Sequence, residues 1–357
     1  DPAHRGEIRH VADLFRAVRK RDVLVHFFST YDPYLESISA LECRKAVYYH
    51  GVTPPRTMRV FDAEGARRCE EALGQFGLLR AFDAWASTSP MACAELRERI
   101  CAAAEAEGSP AGPAAAPEVL ACPPFINHRR WDAVEEEPAD LPDARDLLLY
   151  VGRLVPHKRV ELLFEMFAEY SRLQPDSALV VAGRPAVGGY ANYIGYLLEH
   201  RYSKLSERIR LTGELSDGQL KNAYRRSSCF VTLSEHEGYC VPLVEALGFD
   251  KPVFAAGQEA MCQTLGGSGV VFLDRDVAAA AAEIRRVLAD DPERERIVRR
   301  QRARLAEIGE EADVPMLTGV QAEGAAPMVE AIAEGWDEVR RWDEVETRAT
   351  AIRIGNP

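Results

Sequence analysis

The chain has 357 residues and a formal net charge of −12 at pH 7, which leaves room for two domains with cores of their own. This acidic balance speaks against a nucleic-acid partner, because phosphate contacts need clustered Lys and Arg. No apolar run approaches the roughly 20 residues of a membrane-spanning helix, although a peripheral membrane contact stays open.

The first half of the chain contains three short apolar runs that end in polar residues, as buried parallel strands do. They are DVLVHFF (22–28), KAVYYHG (45–51) and FDAWAST (82–88). The Ala/Gly/Pro/Glu stretch 102–120 is poor in large apolar residues, so we predict a mobile loop. The Pro pair in ACPPFINHRRW (121–131) is typical of a stiff linker between domains.

The second half alternates apolar runs with amphipathic stretches, which predicts a parallel, doubly wound sheet. Two helix starts are legible, a capping box of Ser216 with Gln219 and an N-cap at Asp276. Apolar residues at near-helical spacing predict a further amphipathic helix over 328–349. The six predicted strands are 147–153, 178–184, 209–215, 229–234, 252–257 and 270–274.

The loop SEHEG follows the predicted strand 229–234, and it introduces two carboxylates, Glu237 and Glu245. Ligands bind at the carboxyl ends of the strands in such sheets. Backbone N–H groups over 239–243 stand at the positive end of the next helix, where phosphate or hydroxyl oxygens bind. Carboxylates for hydroxyls and amides for phosphates suit a sugar nucleotide. A solvated loop residue and an ordinary first-turn Glu explain this stretch equally well.

A second polar cluster follows the first strand of the same domain. The sequence LLLYVGRLVPHKR places Arg153 and Lys158 in that loop. Two cations at a strand end of an acidic protein suit a diphosphate. Surface charge at a helix start is the alternative, and the second cluster on the same sheet edge favours the ligand.

GRLVPHK followed by HEGYCVPLVEALG resembles the C-terminal domain of family 4 retaining glycosyltransferases of the GT-B fold. The resemblance implies that Arg153 and Lys158 bind the donor diphosphate, Glu237 the donor sugar and Glu245 the ribose. It also implies that the GELSD loop binds the base through the Leu215 backbone, with Asp217 beside it. Gly238, Tyr239, Cys240 and Val241 would complete the donor site with their backbone.

The resemblance is thinner in the N-terminal half. KAVYYHGVTPP is similar to the family strand whose terminal His faces the donor sugar, which makes His50 the candidate; a His at a strand end that serves the core is the alternative. The family's first strand and Gly-rich loop do not precede Asp1, so we expect that an N-terminal segment is missing. The family's E-G-F-G reads Glu237 to Cys240 here, and Cys240 suits that place only if its φ is negative.

No metal site is predicted. Asp274-Arg275-Asp276 has the D-x-D spacing of metal-dependent glycosyltransferases of another fold, but a strand end followed by a helix cap explains both carboxylates. The eight cysteines show no zinc-ligand spacing and no C-x-x-C pair. With no signal-peptide pattern at the start, they indicate a reduced, cytoplasmic protein.

These features together predict an α/β protein of GT-B architecture, with two Rossmann-like domains facing across a cleft. We expect an acceptor domain over 1–124, a nucleotide-sugar domain over 125–312 and a helical segment over 313–357 that crosses back. The predicted reaction moves a hexose from a nucleotide diphosphate sugar to an unknown acceptor hydroxyl, with retention and without a cofactor. A binding scaffold without turnover, or a GT-B phosphorylase or epimerase, remains the alternative.

Overall fold

The computed structural model describes residues 11–106, 116–124, 126, 128, 130–274, 276–317 and 351–354. The chain divides into two compact units. The N-terminal unit comprises Asp1–Pro55, Gly65–Phe125 and Glu310–Pro357, and the C-terminal unit comprises Arg56–Glu64 and Ile126–Gly309.

Strands and helices alternate along most of the described chain. The strands are β1 (Val23–Phe28), β2 (Arg44–Tyr49), β3 (Ala84–Ser87), β4 (Val119–Ala121), β5 (Asp146–Val151), β6 (Ser177–Ala182), β7 (Ile209–Gly213), β8 (Cys229–Thr232), β9 (Val253–Ala256), β10 (Val270–Phe272) and β11 (Ala351–Ile354). The α-helices are α1 (Val11–Ala17), α2 (Leu35–Ser39), α3 (Pro55–Met58), α4 (Ala63–Leu73), α5 (Pro90–Ala106), α6 (Arg130–Ala133), α7 (Val160–Leu173), α8 (Gly188–Tyr196), α9 (Asp217–Arg226), α10 (Val241–Gly248), α11 (Glu259–Leu265), α12 (Val277–Ala289) and α13 (Asp291–Leu317).

The N-terminal unit is built on a sheet with the strand order β11-β1-β2-β3-β4. Strands β1 to β4 run parallel, whereas β11 pairs antiparallel with β1. Its core packs rings edge to face, with the Phe76 centroid 5.4 Å from that of Phe28 and 5.7 Å from that of Tyr49. The three predicted strands of this half are therefore confirmed.

The predicted loop over 102–120 is wrong at both ends. Helix α5 continues to Ala106, and β4 pairs with β3 from Val119 to Ala121. Small residues suffice here, because Ala104 buries its methyl group on the same helix face as Ile100. The three-residue strand β4 contains Val119 and Leu120, and parallel backbone hydrogen bonds to β3 hold it. Residues 107–115 lie outside the described part of the chain.

The C-terminal unit contains a sheet of six parallel strands with the order β10-β9-β8-β5-β6-β7. Side chains along β6 alternate between its faces, so that Leu179 and Val181 join one hydrophobic cluster and Ala178 and Val180 the other. A sheet buried on both faces by helices is the predicted doubly wound architecture. The structure thus confirms the α/β prediction for this half.

Both predicted helix starts of the C-terminal unit are confirmed. The Ser216 hydroxyl accepts from the Gln219 N–H at 3.2 Å, and the Gln219 side chain accepts from the Ser216 N–H at 3.1 Å. Asp276 accepts from the N–H groups of Ala278 and Ala279, each at 3.0 Å. These caps satisfy backbone donors that the first turn of a helix leaves without partners.

A short excursion from the first half of the chain packs within the C-terminal unit. The Phe61 ring lies 5.1 Å from the Tyr190 ring and 5.2 Å from the Tyr193 ring, measured between centroids. Gly189 permits this approach, since a Cβ there would come within 2.9 Å of the Phe61 carbonyl oxygen. Nothing in the sequence signals the excursion, because Arg56–Glu64 resembles any connection after a strand.

The end of the chain is described only in part. The amphipathic helix predicted over 328–349 lies outside the described residues. Among the helices that are described, none is both long enough and apolar enough to cross a membrane.

Candidate functional site

The predicted site loops follow two adjacent strands of the C-terminal sheet. From β5 the chain proceeds through β6 to β7 on one side, while β8 lies on the other side of β5. The strand order therefore reverses between β5 and β8, and such a switch point opens a crevice at the carboxyl edge of the sheet. The loop with Arg153 and Lys158 follows β5, and the loop with Glu237 follows β8.

Lys158 and Glu237 are in direct contact across this switch point. Lys158 ends a short 3₁₀ helix, Pro156–Lys158, and its Nζ lies 2.6 Å from Glu237 Oε2. The Glu237 side chain is only 7% exposed and that of Lys158 18% exposed. Arg153, in the same loop, is exposed. The residue predicted to bind the donor sugar, Glu237, is thus in contact with a residue predicted to bind the diphosphate, Lys158.

Two further contacts hold the same loops together, and neither was predicted. The Glu235 N–H donates to the His157 carbonyl oxygen at 2.7 Å, and Arg159 Nη1 donates to Glu235 Oε2 at 2.8 Å. Burial, together with the adjacent Lys158 charge, holds the pKa of His157 well below its ordinary value. His157 is therefore a neutral group that adds no charge to the loop.

Glu245 lies on α10 and is only 4% exposed as a residue, and its carboxylate accepts from donors on two other elements. Arg130 Nη2 donates to Glu245 Oε1 at 3.0 Å, and the Tyr224 hydroxyl donates to Glu245 Oε2 at 3.1 Å. Burial and the Glu245 charge raise the pKa of Tyr224 well above its ordinary value, so the hydroxyl keeps its proton and donates.

The base loop reaches the same cation. Asp217 is the first residue of α9, directly after Leu215 and the Ser216 cap, and its Oδ2 lies 3.5 Å from Arg130 Nη1. Arg130 therefore contacts both Asp217 and Glu245. Sequence reasoning missed Arg130 because these partners are 87 and 115 residues away in sequence, beyond any spacing rule.

The turn from Gly238 to Val241 leads into α10 through a left-handed residue. Cys240 has φ 71° and ψ 68° and is the N-cap of the helix. The condition that φ be negative is thus not met, and Cys240 adopts a conformation that favours glycine. The N–H groups over 239–243 are also not all available, because that of Leu243 donates to the Cys240 carbonyl oxygen at 3.1 Å.

His50 belongs to the N-terminal unit and follows β2. Its N–H donates to the Phe28 carbonyl oxygen at 3.0 Å, and its ring packs 4.8 Å from the Tyr48 ring and 5.5 Å from the Phe27 ring. Exclusion of water by these neighbours lowers the pKa of His50 to about 3. His50 is therefore a neutral imidazole near pH 7, and its role toward a donor sugar stays a prediction.

The D-x-D residues take part in local backbone contacts. Asp276 caps α12, and Asp274 Oδ1 accepts from the Asp276 N–H at 3.2 Å. Among the residues that the structure describes, no three His, Cys, Asp or Glu side chains come close enough to hold a metal ion.

The C-terminal unit is similar to known glycosyltransferases. Residues 133–304 match the model of the family "Glycosyl transferases group 1". Glycogen synthase of Mycobacterium tuberculosis is 28% identical over 182 residues, which is 50% of this chain and 42% of the relative. The match thus spans less than half the length of that relative. A shorter stretch of 44 residues, 12% of the chain, is 52% identical to 11% of the threonine synthase of Methanosarcina acetivorans.

Solved structures share the fold at low sequence identity. The α,α-trehalose 6-phosphate synthase of Burkholderia multivorans aligns with 94% of this chain and 74% of its own, at a TM-score of 0.64 and 13% identity. The pneumococcal O-GlcNAc transferase GtfA, in complex with UDP and GlcNAc, aligns with 94% of this chain and 60% of its own, at a TM-score of 0.56 and 16% identity. These likenesses show the GT-B fold.

Proposed function

Since residues 133–304 match the model of the group 1 glycosyltransferases, we propose that the protein transfers a hexose from a nucleoside diphosphate sugar to an acceptor hydroxyl. The transfer retains the anomeric configuration and needs no metal ion. One observation carries this proposal: the loops after β5 and β8 bring Arg153, Lys158 and Glu237 to one switch point, with Glu245 on the helix that follows.

The contact between Lys158 and Glu237 suits the linkage in the donor. In a nucleoside diphosphate sugar the phosphate is bonded directly to the anomeric carbon, so groups that bind phosphate and sugar must adjoin. Lys158 Nζ and Glu237 Oε2 are 2.6 Å apart. Lys158 then faces the phosphate and Glu237 the sugar hydroxyls, with Glu245 at the ribose beyond.

The chemistry that these residues supply is electrostatic. Cleavage of the bond between the anomeric carbon and the phosphate oxygen leaves negative charge on the diphosphate. Arg153 and Lys158 with the α10 amides stabilise this charge as it develops, which lowers the barrier to transfer. Leu215 and Asp217 hold the base, and the backbone of Gly238 to Val241 completes the site. The leaving phosphate accepts the acceptor's proton. His50, neutral in the fold, donates or accepts a hydrogen bond at the sugar.

The two glutamates provide the test, because they bind different parts of the donor. Glu245→Ala should weaken UDP, GDP or ADP as well as the sugar nucleotide, measured by calorimetry. Glu237→Ala should leave nucleotide affinity within about twofold yet abolish most donor turnover, since its partner is the sugar. Glu199→Ala, an exposed carboxylate of the same unit, is the control.

Four results would count against the proposal. Equal effects of both variants on binding and turnover would remove the division of roles. Nucleotide binding with neither transfer nor donor hydrolysis would indicate a scaffold, and turnover only with inorganic phosphate would indicate a phosphorylase. Loss of transfer in EDTA, restored by Mg²⁺ or Mn²⁺, would show that the transfer needs a metal ion.

A further inference from the structure

Arg130 occupies a central place at the nucleoside end of the site. Its guanidinium contacts Glu245 at 3.0 Å and Asp217 at 3.5 Å, so it joins α6 to the start of α9 and to the middle of α10. The Arg130 side chain is 30% exposed and that of Glu245 5% exposed. Glu245 needs a cation beside it, because burying a carboxylate without a positive partner strongly destabilises the fold.

An aromatic cluster fixes the orientation of this guanidinium. Arg130 lies over the Trp131 ring, 4.2 Å from its centroid. Trp131 packs edge to face on Phe249 at 5.2 Å, and Phe249 stacks on Tyr224 at 4.9 Å. The same cluster therefore positions both donors to Glu245, one on each carboxylate oxygen. The plane of the carboxylate is set by rigid aromatic neighbours rather than by solvent.

A carboxylate held in one plane can accept from two neighbouring hydroxyls in a fixed geometry. The 2′ and 3′ hydroxyls of a ribose are such a pair, whereas a 2′-deoxyribose presents only one. We propose that Arg130 is a positioning residue that, through Glu245, makes the site select ribonucleoside diphosphates over their 2′-deoxy counterparts. This inference rests on the proposed function, which places a nucleoside diphosphate at this edge of the sheet.

Calorimetry measures the selectivity. The nucleotide among UDP, GDP and ADP that binds wild-type protein most tightly is identified first. The three probes are then this nucleotide, its 2′-deoxy counterpart and inorganic pyrophosphate. Wild-type protein should prefer the ribonucleotide by roughly tenfold, the value of one charge-assisted hydrogen bond. Arg130→Ala should reduce this ratio to about twofold or less and leave pyrophosphate affinity unchanged, because pyrophosphate needs only Arg153 and Lys158.

Two further variants separate positioning from general charge or folding. Arg130→Lys keeps the charge but not the planar fork that reaches two carboxylates, so its ratio should lie between wild type and Arg130→Ala. Arg225→Ala removes an arginine of α9 whose Nη1 pairs with Glu136 at 2.8 Å, away from Glu245, and should leave the ratio unchanged. Thermal unfolding of each variant confirms that it is folded.

The outcomes distinguish this inference from the proposed function. An unchanged ribose-to-deoxyribose ratio in Arg130→Ala and Arg130→Lys would overturn the inference while nucleotide binding stands. An equal loss of affinity for all three probes would also overturn it, since Arg130 would then act only through its charge. Failure of wild-type protein to bind UDP, GDP or ADP would instead overturn the proposed function.

Discussion

The two units differ in the ionisable residues of their strands and of the loops that follow the strands. In the C-terminal unit the switch point carries ion pairs, Lys158 with Glu237 and, farther along, Arg130 with Glu245. In the N-terminal unit His26 lies within β1 and His50 directly follows β2, and burial lowers their pKa values to about 4 and about 3. The C-terminal unit thus carries ion pairs in its site loops, whereas these two histidines of the N-terminal unit are neutral near pH 7.

The backbone shows the same contrast. Among the described residues other than glycine, those with positive φ are Arg159, Cys240 and Asp250, and all belong to the C-terminal unit. Arg159 and Cys240 stand in or beside the two site loops. Such conformations are costly for residues with a Cβ and persist where the surroundings impose them. Two of these three strained residues thus lie in or beside the loops that carry the ion pairs of the candidate site.

The largest expected effect comes from breaking one buried ion pair. Lys158→Ala leaves the Glu237 carboxylate, 7% exposed, without its cation, which should lower the free energy of unfolding by about 3 kcal/mol. Arg153→Ala removes an exposed cation and should change it by less than about 0.5 kcal/mol. Urea-induced unfolding of both variants measures the difference.

Nucleotide affinity, unlike stability, should fall in both variants. Each removes a cation from the diphosphate, a loss of about 1.5–3 kcal/mol for a charge-assisted hydrogen bond. If both variants bind UDP, GDP and ADP as well as wild type does, neither residue binds phosphate. If both are equally stable, the contrast between a paired and an exposed cation is wrong.

The neutral histidines of the N-terminal unit predict a pH dependence of stability. His26 is fully buried, with Nε2 3.7 Å from Asp32 Oδ2, and burial raises the pKa of Asp32 while it lowers that of His26 to about 4. Between pH 6.5 and 4 the unfolded chain binds a proton at residue 26 and the folded chain does not. The free energy of unfolding therefore falls as the pH falls, by up to about 1.4 kcal/mol per pH unit.

His26→Phe keeps an aromatic ring between Phe28 and Phe82 and removes the titration. The stability of wild type relative to this variant should decline by about 3 kcal/mol from pH 6.5 to pH 4. The Asp32 contribution has the opposite sign and is common to both proteins, so the comparison isolates His26. Parallel stability curves for the two proteins would show that His26 is protonated in the fold.

The sequence predicts the C-terminal unit well because its signals are local. A strand of apolar residues, a polar loop and a capped helix each occupy fewer than about twenty residues, and the two site loops follow from the order of the strands. What it cannot predict are contacts between distant segments. The contacts of Arg130 with Glu245 and of Phe61 with Tyr190 depend on how elements pack. The stretch of small residues 102–106 hides the end of a helix, where the buried residue is Ala104.

The smallest expected effect sharpens the contrast in backbone strain. Cys240 holds φ 71° at the start of α10, where a left-handed residue with a Cβ costs about 1–2 kcal/mol and glycine does not. Cys240→Gly removes this cost but makes the unfolded chain more flexible, by about 0.4–1 kcal/mol, and loses a buried thiol. We expect a change within about 1 kcal/mol of zero, against a clear loss in Cys240→Val, whose branched Cβ tolerates positive φ least. Urea-induced unfolding at pH 7 measures both variants. A glycine variant less stable than the valine variant would mean that packing of the thiol, and not the backbone, decides this position.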